Sequence, residues 1–187
     1  MRLFVAIDIS PPVRAELASL MKQLQRTEPR ARWVRVEGMH VTLKFLGETR
    51  PEHLPAIHQA LEKITSRSAV EMRFRGLGFF PNARRPRVLW AGIEASPNLA
   101  ELAQGVDQAV EPSGFPRETR SFVPHLTLAR FPAPGGWDAL VRATGELSSH
   151  EFGSSSESDF HLIQSFLKPS GAEYKKLASF AFVKEPA

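Results

Sequence analysis

Apolar and polar positions along this chain follow first a two-residue period, then a helical one, and the whole pattern occurs twice. RLFVAID (2–8) and RVLWAGI (87–93) are runs of apolar and β-forming residues, which read as buried strands. Each leads to a proline suited to a helix start, Pro11-Pro12 or Pro97, since a first turn does not use the N–H that proline lacks. Apolar residues then recur at helical spacing: Leu17, Leu20, Met21 and Leu24 in one half, Leu99, Leu102, Val106 and Val110 in the other. MHVTLKFL (39–46) and PHLTLARF (124–131) return to the strand period. Helices are predicted next over 51–65 and 137–147, and strands over 70–79 and 159–167. The Pro/Arg-rich 81–87, the Pro/Gly-rich 132–136 and the Gly/Ser-rich 153–158 read as loops.

The two halves share residues as well as pattern. At an offset of 85, without a gap, 13 of the 42 positions from 2 to 43 are identical, among them Ala15-Glu16-Leu17-Ala18 with 100–103 and His40, Thr42 and Leu43 with His125, Thr127 and Leu128. Composition alone gives roughly two or three. The expectation is an α+β protein of two similar lobes from an internal duplication, forming a single bilobal domain over residues 1–187. Each lobe is a mostly antiparallel sheet with helices outside, and a central cleft lies on a pseudo-twofold axis. Each sheet has a face left to bury, so the repeats are not expected to fold alone.

Residues i and i+2 of a strand share a face, so His40 and Thr42 point one way and Val41, Leu43 and Phe45 the other. His125 and Thr127 repeat the arrangement over Leu126 and Leu128. Two imidazoles and two hydroxyls facing one point suit chemistry at phosphorus. A neutral imidazole removes a proton from a nucleophile, a protonated one supplies the leaving oxygen, and hydroxyls stabilise charge on the non-bridging oxygens. A strained cyclic phosphodiester needs no metal for this.

Composition changes the picture in two places. The chain has 187 residues and no cysteine, so disulfides, thiolate zinc sites and Cys nucleophiles are excluded. Six arginines between 67 and 87 face one acid, Glu71, a segment that can attract phosphates or serve as a solvated surface. No apolar run reaches the roughly 18–20 residues of a membrane span, and the start is not a signal peptide, so a cytoplasmic protein is expected. Metal chemistry is poorly served: there is no His-Glu-x-x-His run, and His53 and His58 do not share a helix face. His150 stands without a motif, and His161 in its strand reads as a structural histidine. Neither a Gly-x-Ser-x-Gly elbow nor a Walker-type loop is present.

RLFVAID, WVRVEGMHVTLKFLGE, GFFPNARRPRVLWAGI, FVPHLTLARF and the C-terminal LIQSFLKPSGAEY, in this order, resemble the LigT-type branch of the two-histidine phosphoesterases. The resemblance implies hydrolysis of RNA 2′,3′-cyclic phosphate ends, tRNA fragments included, to 2′-phosphates, with reversible 2′-5′ ligation as a related activity. It implies no nucleotide cofactor; no metal, a monomer and RNA rather than a membrane as the partner are expected. His125 is then the proton acceptor and His40 the proton donor, with Thr42 and Thr127 on the phosphoryl oxygens. Arg130, Phe45 and Tyr174 are substrate-binding candidates. Strict alternation turns Arg130 to the far face unless the strand end bends, and turns Phe45 into core packing; Tyr174 stacks on a base or packs. Two other readings stay open: an RNA-binding protein without turnover, and a phosphodiesterase for a small cyclic or 2′-5′-linked nucleotide.

Overall fold

A computed structural model describes residues 1–133, 136–168 and 171–183. The order is β1 (Arg2–Ile7), α1 (Pro11–Thr27), β2 (Arg32–Trp33), β3 (Val41–Glu48), α2 (Leu54–Glu62), β4 (Val70–Phe80), β5 (Val88–Ala95), α3 (Asn98–Val110), β6 (His125–Arg130), α4 (Asp138–Gly145), β7 (Glu151–Glu157), β8 (Asp159–Lys168) and β9 (Gly171–Ala181). The strands form two antiparallel sheets, β3-β1-β8-β9 and β2-β6-β5-β4-β7. The expected α+β architecture of two sheets with helices is present.

The repeats exchange elements. β4, from the first repeat, pairs with β5 of the second, while β8, from the second, pairs with β1 of the first. The helices follow suit: α1 packs on β7 and α4, whereas α3 packs on β3 and α2 on β9. Each sheet therefore draws on both halves of the chain, and neither half contains a complete one.

Burial drives this arrangement. Helix α1 starts on Pro11 and buries Val13, Leu17, Leu20, Met21 and Leu24 on one face, each worth roughly 1.5–3 kcal/mol of transfer free energy. Leu3, Val5, Ile7, Val41 and Leu43 in one sheet and Leu89, Ala91, Leu126 and Leu128 in the other face the helices and join a common core. The opposite face of the first sheet carries a separate small cluster, Phe4, Ala6 and Ile163.

Four expectations need correction. The Gly/Ser stretch 153–158 is not a loop; most of it is β7, paired with β4. Its serines hold the start of α1, with Ser10 N–H donating to Ser155 Oγ and Ser10 Oγ to the Ser154 carbonyl, both at 2.9 Å. The segment 51–65 opens with a 3-10 turn, Pro51–His53, before α2. Strand β9 follows the last predicted element and closes a hairpin with β8. The offset of 85 holds for the histidine strands but not for the first strands: Thr42 lies opposite Ala6 and Thr127 opposite Trp90, 84 residues apart. Arg2 and Arg87, or Ala6 and Ala91, are thus not equivalent positions. Loop 81–87 joins β4 to β5 as expected; of the loop 132–136, Pro134 and Gly135 lie outside the described residues.

Candidate active site

The two histidine strands lie against each other where the sheets meet, β3 at the edge of one and β6 next to the edge of the other. Each breaks its alternation at the same point. In β3, Val5 is opposite Lys44 and Ala6 opposite Thr42, so Leu43 is left over. In β6, Leu89 is opposite Ala129 and Trp90 opposite Thr127, so Leu128 is left over. A bulge sends two successive side chains to one face and reverses the positions beyond it, which in β3 holds as far as a second irregularity at Leu46.

That reversal corrects two sequence expectations. Phe45 lies opposite Phe4, on the face of Thr42, and is 56% exposed rather than packed in the core. Arg130 lies opposite Val88, on the face of Thr127, and is exposed. The bulge at Leu128 is the bend that Arg130 requires. One face thus carries His40, Thr42 and Phe45, and its counterpart His125, Thr127 and Arg130. Neither threonine hydroxyl hydrogen-bonds another described residue, and Arg130 has no ion pair among them.

His40 precedes β3 and is held by aromatic rings. Phe4 stacks on it, centroids 4.5 Å apart and 26° from parallel, and Tyr174 meets it edge-on at 5.3 Å. Tyr174 also meets Phe4 edge-on at 5.7 Å, so it packs against the histidine as well as showing an exposed edge. Its ring lies over Gly38, where a Cβ would come within 2.5 Å of it. Burial pushes the His40 imidazole down to about 4; the Asp8 carboxylate and a hydrogen bond with the Gly38 backbone pull the other way, and the Arg14 charge lowers it further.

His125 opens β6 and is set differently. Its Nδ1 lies 2.8 Å from the Val123 carbonyl. The carbonyl can only accept, so Nδ1 carries the hydrogen and the neutral ring leaves Nε2 with a free lone pair. Phe80 meets the ring edge-on at 5.0 Å. Burial raises the Tyr174 phenol, while the charges of Arg130 and Arg2 lower it, so arginines from both sheets act on one side chain beside His40.

Sequence reasoning missed a polar cluster beside His40. His161 is buried, as a structural histidine should be, and lies opposite Ala6 on the His40 face. Its Nδ1 is 2.8 Å from Ser179 Oγ, and its Nε2 is 3.2 Å from Lys176 Nζ and 3.3 Å from Asp8 Oδ2. Lys176 also reaches Asp8 at 2.5 Å. Hydrogen bonds from His161 and then Lys176 hold the Asp8 carboxyl well below the usual carboxylate range, so it is an anion facing His40. Nothing in the sequence separates Asp8 or Lys176 from ordinary surface charges. Among the described residues, no three His, Asp or Glu side chains are placed to hold a metal ion, and no helix is long and apolar enough to cross a membrane.

A histidine and a threonine presented from each of two exchanged, touching sheets define the two-histidine phosphoesterase class. The chain belongs to the LigT-like phosphoesterases, whose family pattern matches residues 7–90 and 93–172. It is 36% identical over 181 residues to the RNA 2′,3′-cyclic phosphodiesterase of Archaeoglobus fulgidus, covering 96% of this chain and 99% of that one. The protein of the same name from Methanothermobacter thermautotrophicus is 32% identical over 180 residues, covering 96% and 97%. A crystal structure from Thermus thermophilus superposes with a TM-score of 0.82 at 32% identity over all of both chains. Escherichia coli LigT complexed with 3′-AMP superposes at 0.76, with 25% identity over 98% of both.

Proposed function

We propose that the protein hydrolyses RNA 2′,3′-cyclic phosphate ends to 2′-phosphates by acid–base catalysis between His125 and His40. The observation that carries this reading is the duplicated bulge, which brings His, Thr and a third side chain to one face on each of two adjoining strands. The names of the relatives support the same substrate class. In the proposed step, His125 Nε2 takes the proton of water as its oxygen attacks phosphorus. The P–O3′ bond breaks, and His40 returns a proton to the 3′-oxygen. Thr42 and Thr127 donate to the non-bridging oxygens, and Arg130 balances their charge.

The free lone pair on His125 Nε2 suits the base. His40 begins neutral, and its acid role requires the incoming phosphodiester to raise its proton affinity. A phosphodiester anion beside the ring acts in the same direction as Asp8. Phe45 offers an exposed ring to the terminal base, and Tyr174 positions His40 and closes the sugar side. All these groups come from one chain, so a monomer working as a single bilobal unit in the cytoplasm suffices, and cleaved tRNA ends are suitable substrates.

The test is product identity. A short RNA ending in a 2′,3′-cyclic phosphate, incubated with the protein and EDTA, should yield a 2′-phosphate. A 3′-phosphate product would reverse the leaving group, and RNA binding without turnover would favour the pure binding reading.

A further inference from the structure

The face that carries His125 has a feature that hydrolysis by water does not use. Trp90 lies opposite Thr127 on one side and opposite Gly78 on the other. A Cβ at Gly78 would collide with the indole, and one at Gly92 would meet it at 3.5 Å. Gly78, free of a side chain, thus forms the bed on which the indole lies. Phe80 adjoins it, with ring centroids 5.2 Å apart and 35° from parallel, and meets His125 edge-on. Both rings are only partly buried.

Trp90 Nε1 is the one buried side-chain nitrogen or oxygen among the described residues without a hydrogen-bond partner. A leucine or phenylalanine would fill such a place without an unsatisfied donor. The corresponding position of the other sheet, opposite Thr42, holds Ala6. An indole opposite the motif threonine therefore belongs to the His125 side alone.

We propose that Trp90 and Phe80 are a stacking subsite for the base of a second nucleotide, the acceptor whose 5′-hydroxyl replaces water beside His125. This inference rests on the phosphodiesterase reading above. The terminal nucleoside keeps its P–O2′ bond while its 3′-oxygen departs toward His40, so it lies on the His40 side, and an acceptor activated by His125 lies on the other. Its 5′-oxygen forms the new bond to phosphorus, its proton passes to His125 Nε2, the P–O3′ bond breaks, and His40 protonates O3′. The product is a 2′-5′ linkage, and no co-reactant is consumed. Aromatic stacking tolerates every base, so the subsite takes nucleosides as a class.

The experiment uses an RNA trinucleotide ending in a 2′,3′-cyclic phosphate as donor and a 5′-hydroxyl trinucleotide as acceptor, and reads the ratio of 2′-5′ transfer to hydrolysis. An acceptor with an abasic first position should lower that ratio about ten-fold in the unaltered protein, the scale of one lost base stack. Trp90→Leu should lower it similarly, and Trp90→Tyr, which keeps a flat ring, should restore most of it. Equal ratios for the intact and abasic acceptors, or hydrolysis with no transfer at all, overturn the subsite and leave the hydrolytic reading standing. Absence of both reactions refutes that reading and the subsite with it.

Discussion

The ring of Phe4 lies against that of His40, 4.5 Å between centroids, and this contact shields from water the imidazole proposed as the proton donor. With burial holding its pKa at about 4, His40 is neutral near pH 7 in the free protein. The acid role proposed for it then depends on the substrate's own charge. Titrating the His40 ring by NMR should give a midpoint near 4 without ligand and a higher one with a bound 2′-nucleotide, by at least about one unit. A midpoint that does not move on binding would exchange the roles of the two histidines.

The same burial makes the fold sensitive to mild acid. The unfolded imidazole takes its proton near 6.5, whereas the folded one waits until about 4. The unfolded state therefore binds more protons in that window, and stability falls as pH drops through it. Between pH 7 and pH 5 the His40 share of this loss is up to about 2 kcal/mol. Asp8, held low by its partners, adds a loss below the usual carboxylate range. Urea unfolding at both pH values should show a smaller loss for His40→Gln than for the unaltered protein.

Gly38 and Tyr174 should behave as one unit. Gly38→Ala drives a methyl into the Tyr174 ring and should cost about 1–3 kcal/mol of stability, with lower turnover as His40 loses its edge-on contact. In a Tyr174→Ala background the same change should cost little. Stability and rate in the four-member cycle would settle this, and simple additivity would show that the ring does not rest on the glycine.

Much of the fold was readable because the strand and helix periods run cleanly through residues 2–27 and 87–110. The histidine pair was readable because its frame occurs twice. The turnabout at Leu43 and Leu128 was not, since a bulge is a property of pairing and shows only when Val5 and Leu89 are placed opposite their partners. Strict alternation therefore put Phe45 and Arg130 on the wrong face. The serines of β7 hid a strand because their contacts are hydrogen bonds to the start of α1 rather than apolar packing. The exchange of β4 and β8 between repeats leaves no local mark at all. It satisfies a need the sequence does suggest, that neither repeat can bury its sheet alone.

Arg130 and the two threonines should separate binding from chemistry. Thr42→Val and Thr127→Val remove the proposed donors to the phosphoryl oxygens and should lower kcat by up to about 10²-fold each. Arg130→Ala should raise KM and flatten the dependence of kcat/KM on salt, by about one counterion in the slope. Steady-state kinetics at several salt concentrations would distinguish the two patterns.

The central claim, one acid and one base acting on a single phosphate, is tested most directly by single-turnover rates on an RNA 2′,3′-cyclic phosphate with EDTA present. The proteins compared are the unaltered chain, His40→Ala, His125→Ala and the double variant. Each single change should slow the reaction by about 10²–10⁴-fold, and the double variant should be little slower than the worse single one, because the histidines act as a unit. If either single variant retains near-normal turnover, the two-histidine mechanism is wrong.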